Sequence, residues 1–286
     1  MKVNSLKRDS PDFPEPLLQI DRAPQQIYYL GHNPRQWLDR PKLAVVGSRK
    51  ASAYGLDVTD KLVTKLAAKG VVIISGLAYG IDAAAHRAAL AAGGTTVAIL
   101  PTSLDNIYPA SHTNLSRQII ENGSLISEYS ASDVVHKSNF TERNRIVSGL
   151  ADAVLITEAA ARSGTLSTAR FALAQGKTVM AVPGNITSFG SQGCNTLIKS
   201  GALPVTEVSD VFFELGIKPS TAKNTPSFRG TEQEEIVLQL IASGTADQEE
   251  LALKSGLDGQ SISTILITLE LGGHIKPAGG GQWLAN

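Results

Sequence analysis

A single cysteine, Cys194, stands in 286 residues. That excludes a disulfide framework and a cysteine-based zinc site. No apolar run approaches the ~18 residues that a membrane span needs. The opening MKVNSLKRDSPDFPEP has no apolar core and so is no secretory signal; a cytoplasmic protein without a membrane partner is expected. Net charge is also lacking, with 26 basic against 26 acidic residues, which argues against a nonspecific polyanion binder. Neither a GxGxxG fingerprint nor a GxxxxGK[ST] loop is present, which counts against NAD and against ATP hydrolysis. No metal-ligand spacing of His and acid recurs. No cofactor, no metal and no catalytic residue are therefore expected. The 42% hydrophobic and 18% charged residues are those of a globular chain.

The neutral total hides an asymmetry. Residues 231–286 hold eight acidic side chains (Glu232, Glu234, Glu235, Asp247, Glu249, Glu250, Asp258, Glu270) and two basic ones (Lys254, Lys276), a balance of −6. Taking 2 from 26 and 8 from 26 leaves 24 basic and 18 acidic residues before them, or +6. A basic body carries an acidic tail.

Residues 1–41 are proline-rich without clear periodicity and are expected as a loose amino-terminal arm, too short for a full helical domain, with a short strand at Ile27–Leu30. A rhythm follows over 42–216. β-rich runs at Leu43–Gly47, Val71–Ser75, Thr95–Leu100, Ser124–Ser127, Ala153–Glu158 and Thr178–Val182 alternate with helical patterns at Gly55–Lys69, Asp82–Ala92, Thr113–Glu121, Phe140–Leu150 and Thr165–Gln175. That spacing predicts an α/β fold, a doubly wound, mostly parallel Rossmann-like sheet. AVLIT (Ala153–Thr157) is continuously apolar, as a strand buried on both faces should be. Residues 217–230 read as a linker. Over 231–286, three amphipathic helices (Glu232–Ala242, Gln248–Lys254, Ser261–Leu271) and a closing hairpin give a small winged-helix pattern. Its third helix contains no Lys or Arg. A duplex reader brings cations to phosphates, so an interaction or regulatory module is expected instead.

In an open parallel sheet, ligands bind beyond the carboxyl ends of the strands. Gly47-Ser48-Arg49 follows the first run, Ser75-Gly76 the second, Ser163-Gly164-Thr165 the fifth and Pro183-Gly184-Asn185 the sixth. Glycine and small hydroxyl residues allow close backbone approach to an anion, helix N-termini favour negative charge, and Arg49 offers a bidentate phosphate partner. Each turn alone suits a helix cap or a tight turn equally well; their concurrence at one sheet edge points to a phosphate site. A second cluster, His136–Ile146, sets Lys137, Arg143 and Arg145 around Phe140 and Asn144. Charge that tracks a backbone beside a ring that stacks a base suits single-stranded nucleic acid. Arg143 and Arg145 lie ~200° apart on a helix, so Phe140 and Lys137 are expected to meet ligand, Arg143 next, and Arg145 to be structural. Glu158, at a strand end, is the one plausible catalytic carboxylate. His86 follows Asp82 by four residues, the spacing of an i,i+4 polar contact.

These residues bring out a resemblance to the DNA-processing protein A (DprA, or Smf) family. It rests on VGSR (Val46–Arg49), ISGLAYGIDAAAH (Ile74–His86), LDNIYP (Leu104–Pro109), SEY (Ser127–Tyr129), FTERNRI (Phe140–Ile146), SGTLSTA (Ser163–Ala169) and AVPG (Ala181–Gly184), in order along the chain. Thr102, Ser103, Ser130 and Thr141 depart from glycines and prolines usual in the family. The resemblance implies a non-enzymatic protein that binds single-stranded DNA, forms a homodimer through its Rossmann-like domain, and loads the RecA recombinase in natural transformation. Arg49, Lys137 and Phe140 match the family's DNA pocket. The alternative is a nucleotide-processing or nucleotide-sensing protein of the lysine-decarboxylase-like (LOG) phosphoribohydrolase kind, with Glu158 as catalyst. Its PGGxGT signature is missing; only Pro183-Gly184-Asn185 and a separate Ser163-Gly164-Thr165 stand here.

Overall fold

A computed structural model of the chain describes residues 3–217, 230–279 and 281–285. Contacts divide the chain into two units, Met1–Pro219 and Ser220–Asn286. The linker expected over 217–230 lies almost wholly outside the described residues.

In the first unit the strands are β1 (Asn4–Lys7), β2 (Gln26–Gly31), β3 (Lys42–Val46), β4 (Val72–Ser75), β5 (Thr96–Ile99), β6 (Ser124–Ser127), β7 (Ala153–Ile156), β8 (Thr178–Ala181) and β9 (Leu203–Pro204). They form one sheet in the order β1-β2-β6-β5-β4-β3-β7-β8-β9. From β6 to β9 every neighbouring pair is parallel; β1 and β2 close one edge antiparallel. The helices are α1 (Ala53–Ala68), α2 (Ile81–Ala91), α3 (Thr113–Asn122), α4 (Asn139–Glu142), α5 (Asn144–Leu150), α6 (Thr165–Ala174), α7 (Gln192–Lys199) and α8 (Val208–Glu214).

The pleat sends successive side chains to opposite faces. Leu43 and Val45 of β3 join α1, α2 and α8 in one core layer. Ala44 and Val46 join α5, α6 and α7 in the other. Strands sandwiched in this way are apolar on both faces of their middles, with polar residues confined to their ends (Lys42, Ser75, Thr96, Ser124, Ser127), which is why the sequence pattern located them to within a residue or two. Each fully buried Leu, Ile or Val contributes about 1.5–3 kcal/mol relative to exposure.

The amino-terminal residues are not a loose arm. Leu17, Ile27 and Trp37 are fully buried, and the Trp37 indole N–H donates to Ser124 Oγ at 3.0 Å. A Cβ on Gly149 of α5 would sit 2.8 Å from Ile20, so this segment forms part of the second layer. It escaped the sequence reading because it is built from 3₁₀ turns at Glu15–Leu18 and Pro34–Gln36, too short to show a period. The helix expected over Phe140–Leu150 is divided into α4 and α5 at Arg143.

The second unit holds α9 (Glu232–Ala242), α10 (Gln248–Ser255), α11 (Gly259–Leu271) and an antiparallel pair, β10 (Ile275–Gly279) and β11 (Gln282–Ala285). Each helix starts on a side-chain cap: Thr231, with Glu234 completing a capping box, then Asp247, then Asp258. Val237, Leu251, Ile262 and Leu269 form its own core. This is the winged-helix arrangement. Among the described residues no helix is long and apolar enough to cross a membrane.

Candidate functional site

Strand order reverses between β3 and β7. From β3 the sheet grows through β4 and β5 in one direction and through β7 and β8 in the other. The loops leaving β3 and β7 diverge there and open a crevice at the carboxyl edge.

The loop after β3 is held from several sides. The Ser48 N–H donates to Glu158 O at 2.8 Å, and Ile81 N–H donates to Ser48 O at 3.1 Å. Thr165 Oγ1 donates to Gly47 O at 2.8 Å, tying in the start of α6. Gly47 has no room for a side chain: a Cβ would lie 2.5 Å from Ile81 and 2.9 Å from Glu158 O. Gly80 adopts φ +74°, and a Cβ there would come 2.1 Å from Ser48 O. A rigid backbone thus carries Arg49, which is itself exposed.

Arg49 projects over Phe140, its guanidinium carbon 5.8 Å from the ring centroid, within cation–π range. Tyr108 packs edge-to-face on the same ring, with centroids 5.0 Å apart and planes at 82°. Beside this stack lies a cavity of about 740 Å³, bounded by the loops after β3, β7 and β8, by α4 and by the start of α6. A pocket of about 20 Å³ adjoins it and shares Arg49, Phe140 and Arg143.

Under the stack, Arg143 is buried at 4% exposure. Its guanidinium donates to Gly76 O at 2.6 Å and to Ile99 O. Gly76 is glycine because a Cβ would sit 2.4 Å from Arg143 Nη2. Burial pulls the Arg143 pKa down to about 10, against the attraction of Asp82, so the group stays cationic at neutral pH. Asp82, also buried, accepts from the Gly76 N–H at 3.1 Å; burial raises its pKa and Arg143 opposes the rise.

The comparisons with known proteins follow this geometry. The family model described as DNA recombination-mediator protein A matches residues 4–216, and a DprA winged helix domain model matches 220–281. The chain belongs to the DNA recombination-mediator protein A family. Protein Smf of Escherichia coli K12 is 38% identical over 284 residues, covering 96% of this chain and 75% of its own length. DNA processing protein DprA of Streptococcus pneumoniae R6 is 42% identical over 202 residues, 71% of either chain. The X-ray structure of DprA from Streptococcus pneumoniae superposes with a TM-score of 0.71 at 40% identity over 75% of both chains. A Helicobacter pylori DprA structure, described by its single-stranded DNA binding mode, gives 0.68 at 31% identity over 75% of this chain and 96% of its own.

In this DprA-family chain the expected site residues divide. Gly47, Ser48, Arg49, Phe140, Arg143, Asn144, Ser163, Gly164 and Thr165 all line the large cavity. Ser75 does not: its buried hydroxyl donates to Val45 O at 2.6 Å and ties β4 to β3. Gly76 lines only the small pocket, as the floor under Arg143. Lys137 is exposed on the approach to α4, outside the lining of either cavity. Arg143, expected to reach ligand, lines both cavities, while its Nη1 donates to two main-chain carbonyls. Asn144 accepts from Arg143 Nε at 3.2 Å and donates to Ser167 Oγ at 2.9 Å, so it orients rather than projects. Arg145 is structural as expected, buried against Glu128.

Glu158 caps α1. Its Oε2 accepts from Ser52 N–H at 2.9 Å and from the Ser52 hydroxyl at 3.0 Å. His86 does not meet Asp82. Thr96 Oγ1 gives its proton to Ile73 O, so His86 Nδ1 is the donor to Thr96 across 2.7 Å; burial, then repulsion from His112 and Arg143, drop the imidazole pKa to about 3. Sequence reasoning missed Tyr108, although LDNIYP contains it, and Phe189, which stands four residues past the Pro183-Gly184-Asn185 turn where that reading stopped. Among the described residues no cluster of three His, Cys, Asp or Glu could hold a metal ion.

Proposed function

We propose that this chain is a single-stranded DNA-binding recombination mediator, acting without catalysis. It would protect incoming DNA in the cytoplasm and load RecA during natural transformation, as a homodimer through the Rossmann-like unit. The observation that carries the reading is Arg49 over Phe140 at the rim of a cavity of about 740 Å³. A cation for the phosphates and a ring for a base stand together on a pinned backbone, as a single-strand site requires. The +6 balance of the residues before 231 fits a polyanion. The family membership and the Helicobacter pylori relative's described single-stranded DNA binding support the same ligand. The phosphoribohydrolase reading is weaker: Glu158, its catalyst, lines the same cavity but accepts from the Ser52 N–H and hydroxyl.

Fluorescence anisotropy with a labelled strand of about 20 nucleotides, its duplex, and excess AMP, over a salt series, tests the proposal. Tight single-strand binding, weak duplex binding and no displacement by AMP are expected. Displacement by low AMP with weak strand binding would transfer the chain to the nucleotide-binding reading. Arg49→Ala is expected to weaken binding and reduce the salt slope by ~0.7, one phosphate contact on a single strand. An unchanged slope removes Arg49 from the interface. Deleting residues 231–286, which carry −6, is expected to leave single-strand affinity within about threefold, since an acidic segment adds no phosphate contacts; a tenfold loss would contradict this.

A further inference from the structure

Phe189 is 71% exposed, an unusual position for a phenylalanine ring, while its backbone is fixed. It opens a 3₁₀ turn, Phe189–Ser191. Ser191 N–H donates to Ser188 O, and Gly193 N–H donates to Ala159 O at 2.7 Å. A Cβ on Gly190 would sit 2.3 Å from Glu158 Oε1, and one on Gly184 would sit 2.2 Å from Ser191 Oγ. The turn is therefore clamped on the loop after β7, and its ring is left at the cavity wall. A preordered aromatic with an exposed face loses little entropy when something stacks on it.

Its place in the sheet gives the spacing. Phe140 belongs to the side where β4 and β5 end, next to Gly76 and Pro101. Phe189 follows β8. From β4 to the loops after β7 and β8, which together carry the turn, there are two to three interstrand steps, roughly 10–14 Å at ~4.8 Å each. Nucleotides stacked as in B-form DNA advance ~3.4 Å, so about three to four steps separate the two rings. Both lie along one cavity whose lining carries Arg49 and Lys50.

We infer that Phe189 is a second base-stacking platform, engaging the strand about three to four nucleotides from the base on Phe140 and so setting a minimum length for full affinity. This rests on the single-strand reading above. The occupant is a nucleobase rather than a protein side chain because the ring lines the same cavity as the Arg49–Phe140 pair.

The test uses the full chain and oligothymidylates of about three and about eight nucleotides. Phe189→Ala is expected to weaken the longer strand about tenfold, or ~1.4 kcal/mol, and the shorter less than twofold; Phe140→Ala weakens both. Phe189→Trp keeps the affinity and its emission is quenched by the longer strand only, against the buried Trp37 and unchanged Trp283 background. Phe189→Leu, apolar but ringless, behaves like Phe189→Ala. Sedimentation velocity accompanies each variant. If the unsubstituted chain binds neither strand, the single-strand reading fails. If it binds and Phe189→Ala binds equally, or loses both lengths alike, the inference fails while that reading stands. A changed oligomeric state in Phe189→Ala also overturns it, making the ring a protein contact.

Discussion

Arg143→Ala is expected to destabilise the first unit by about 3–5 kcal/mol, the usual cost of removing one partner from a buried charged network. The residue is 4% exposed, and its guanidinium serves main-chain carbonyls on two different strand ends, Gly76 O after β4 and Ile99 O of β5. Truncation leaves those carbonyls unpaired and removes the cation that offsets buried Asp82. For a unit of this size each kcal/mol moves Tm by about 2–4 °C, so calorimetry should show a fall on the order of 10 °C in that unit's transition. Arg143→Lys restores charge, but its ammonium ends one bond short of Nη1, which serves both carbonyls, and it lacks the Nε that donates to Asn144, so it is expected to recover under half of the loss. Single-strand affinity falls with stability, because Gly76 and Phe140 both rest on the Arg143 side chain or its helix. A Tm within 2 °C of the unsubstituted chain for Arg143→Ala would show that the carbonyls find other donors and that Arg143 is dispensable to the floor.

Arg143 also shows where a sequence stops being informative. Its place in FTERNRI beside Phe140 predicts a ligand role, and the ~200° separation from Arg145 rightly says that the two cannot share one face. What the spacing cannot show is that both faces are interior: Arg145 meets Glu128 and Arg143 meets Gly76. Ser75 is likewise turned inward. A hydroxyl at the end of a strand buried on both faces must bond within the sheet, and it does, to Val45 O. The parallel sheet is legible because the middles of its strands are apolar on both faces, and the crevice because the carboxyl-edge rule depends only on strand order. The amino-terminal layer is not, since 3₁₀ turns around Leu17 and Pro34 leave no period to read. Lys137 marks the limit from the other side: a cation one turn before Phe140 in sequence lies outside the cavity lining.

Phe140→Ala is expected to weaken single-strand binding by ~1–3 kcal/mol, the range for losing one base–aromatic stack, with little change in Tm. Phe140 is only half-buried, and in the free protein its partners are Tyr108 at 5.0 Å and the Arg49 guanidinium at 5.8 Å. Exposed contacts of that kind contribute about 0.5–1.5 kcal/mol, so the fold tolerates their loss. The arrangement makes a sharper statement than a single deletion. The ring positions Arg49, so removing the ring also releases the cation, and Arg49→Ala in the Phe140→Ala background should cost less than in the parent. A double-mutant cycle on single-strand affinity is expected to give a coupling of about 0.5–1 kcal/mol between the two. Strict additivity would mean that Arg49 finds its phosphate without the ring, and the pair would then be two independent contacts rather than one preorganised site. A fall in Tm of more than about 5 °C for Phe140→Ala would place the ring in the core and remove the stack from the binding argument.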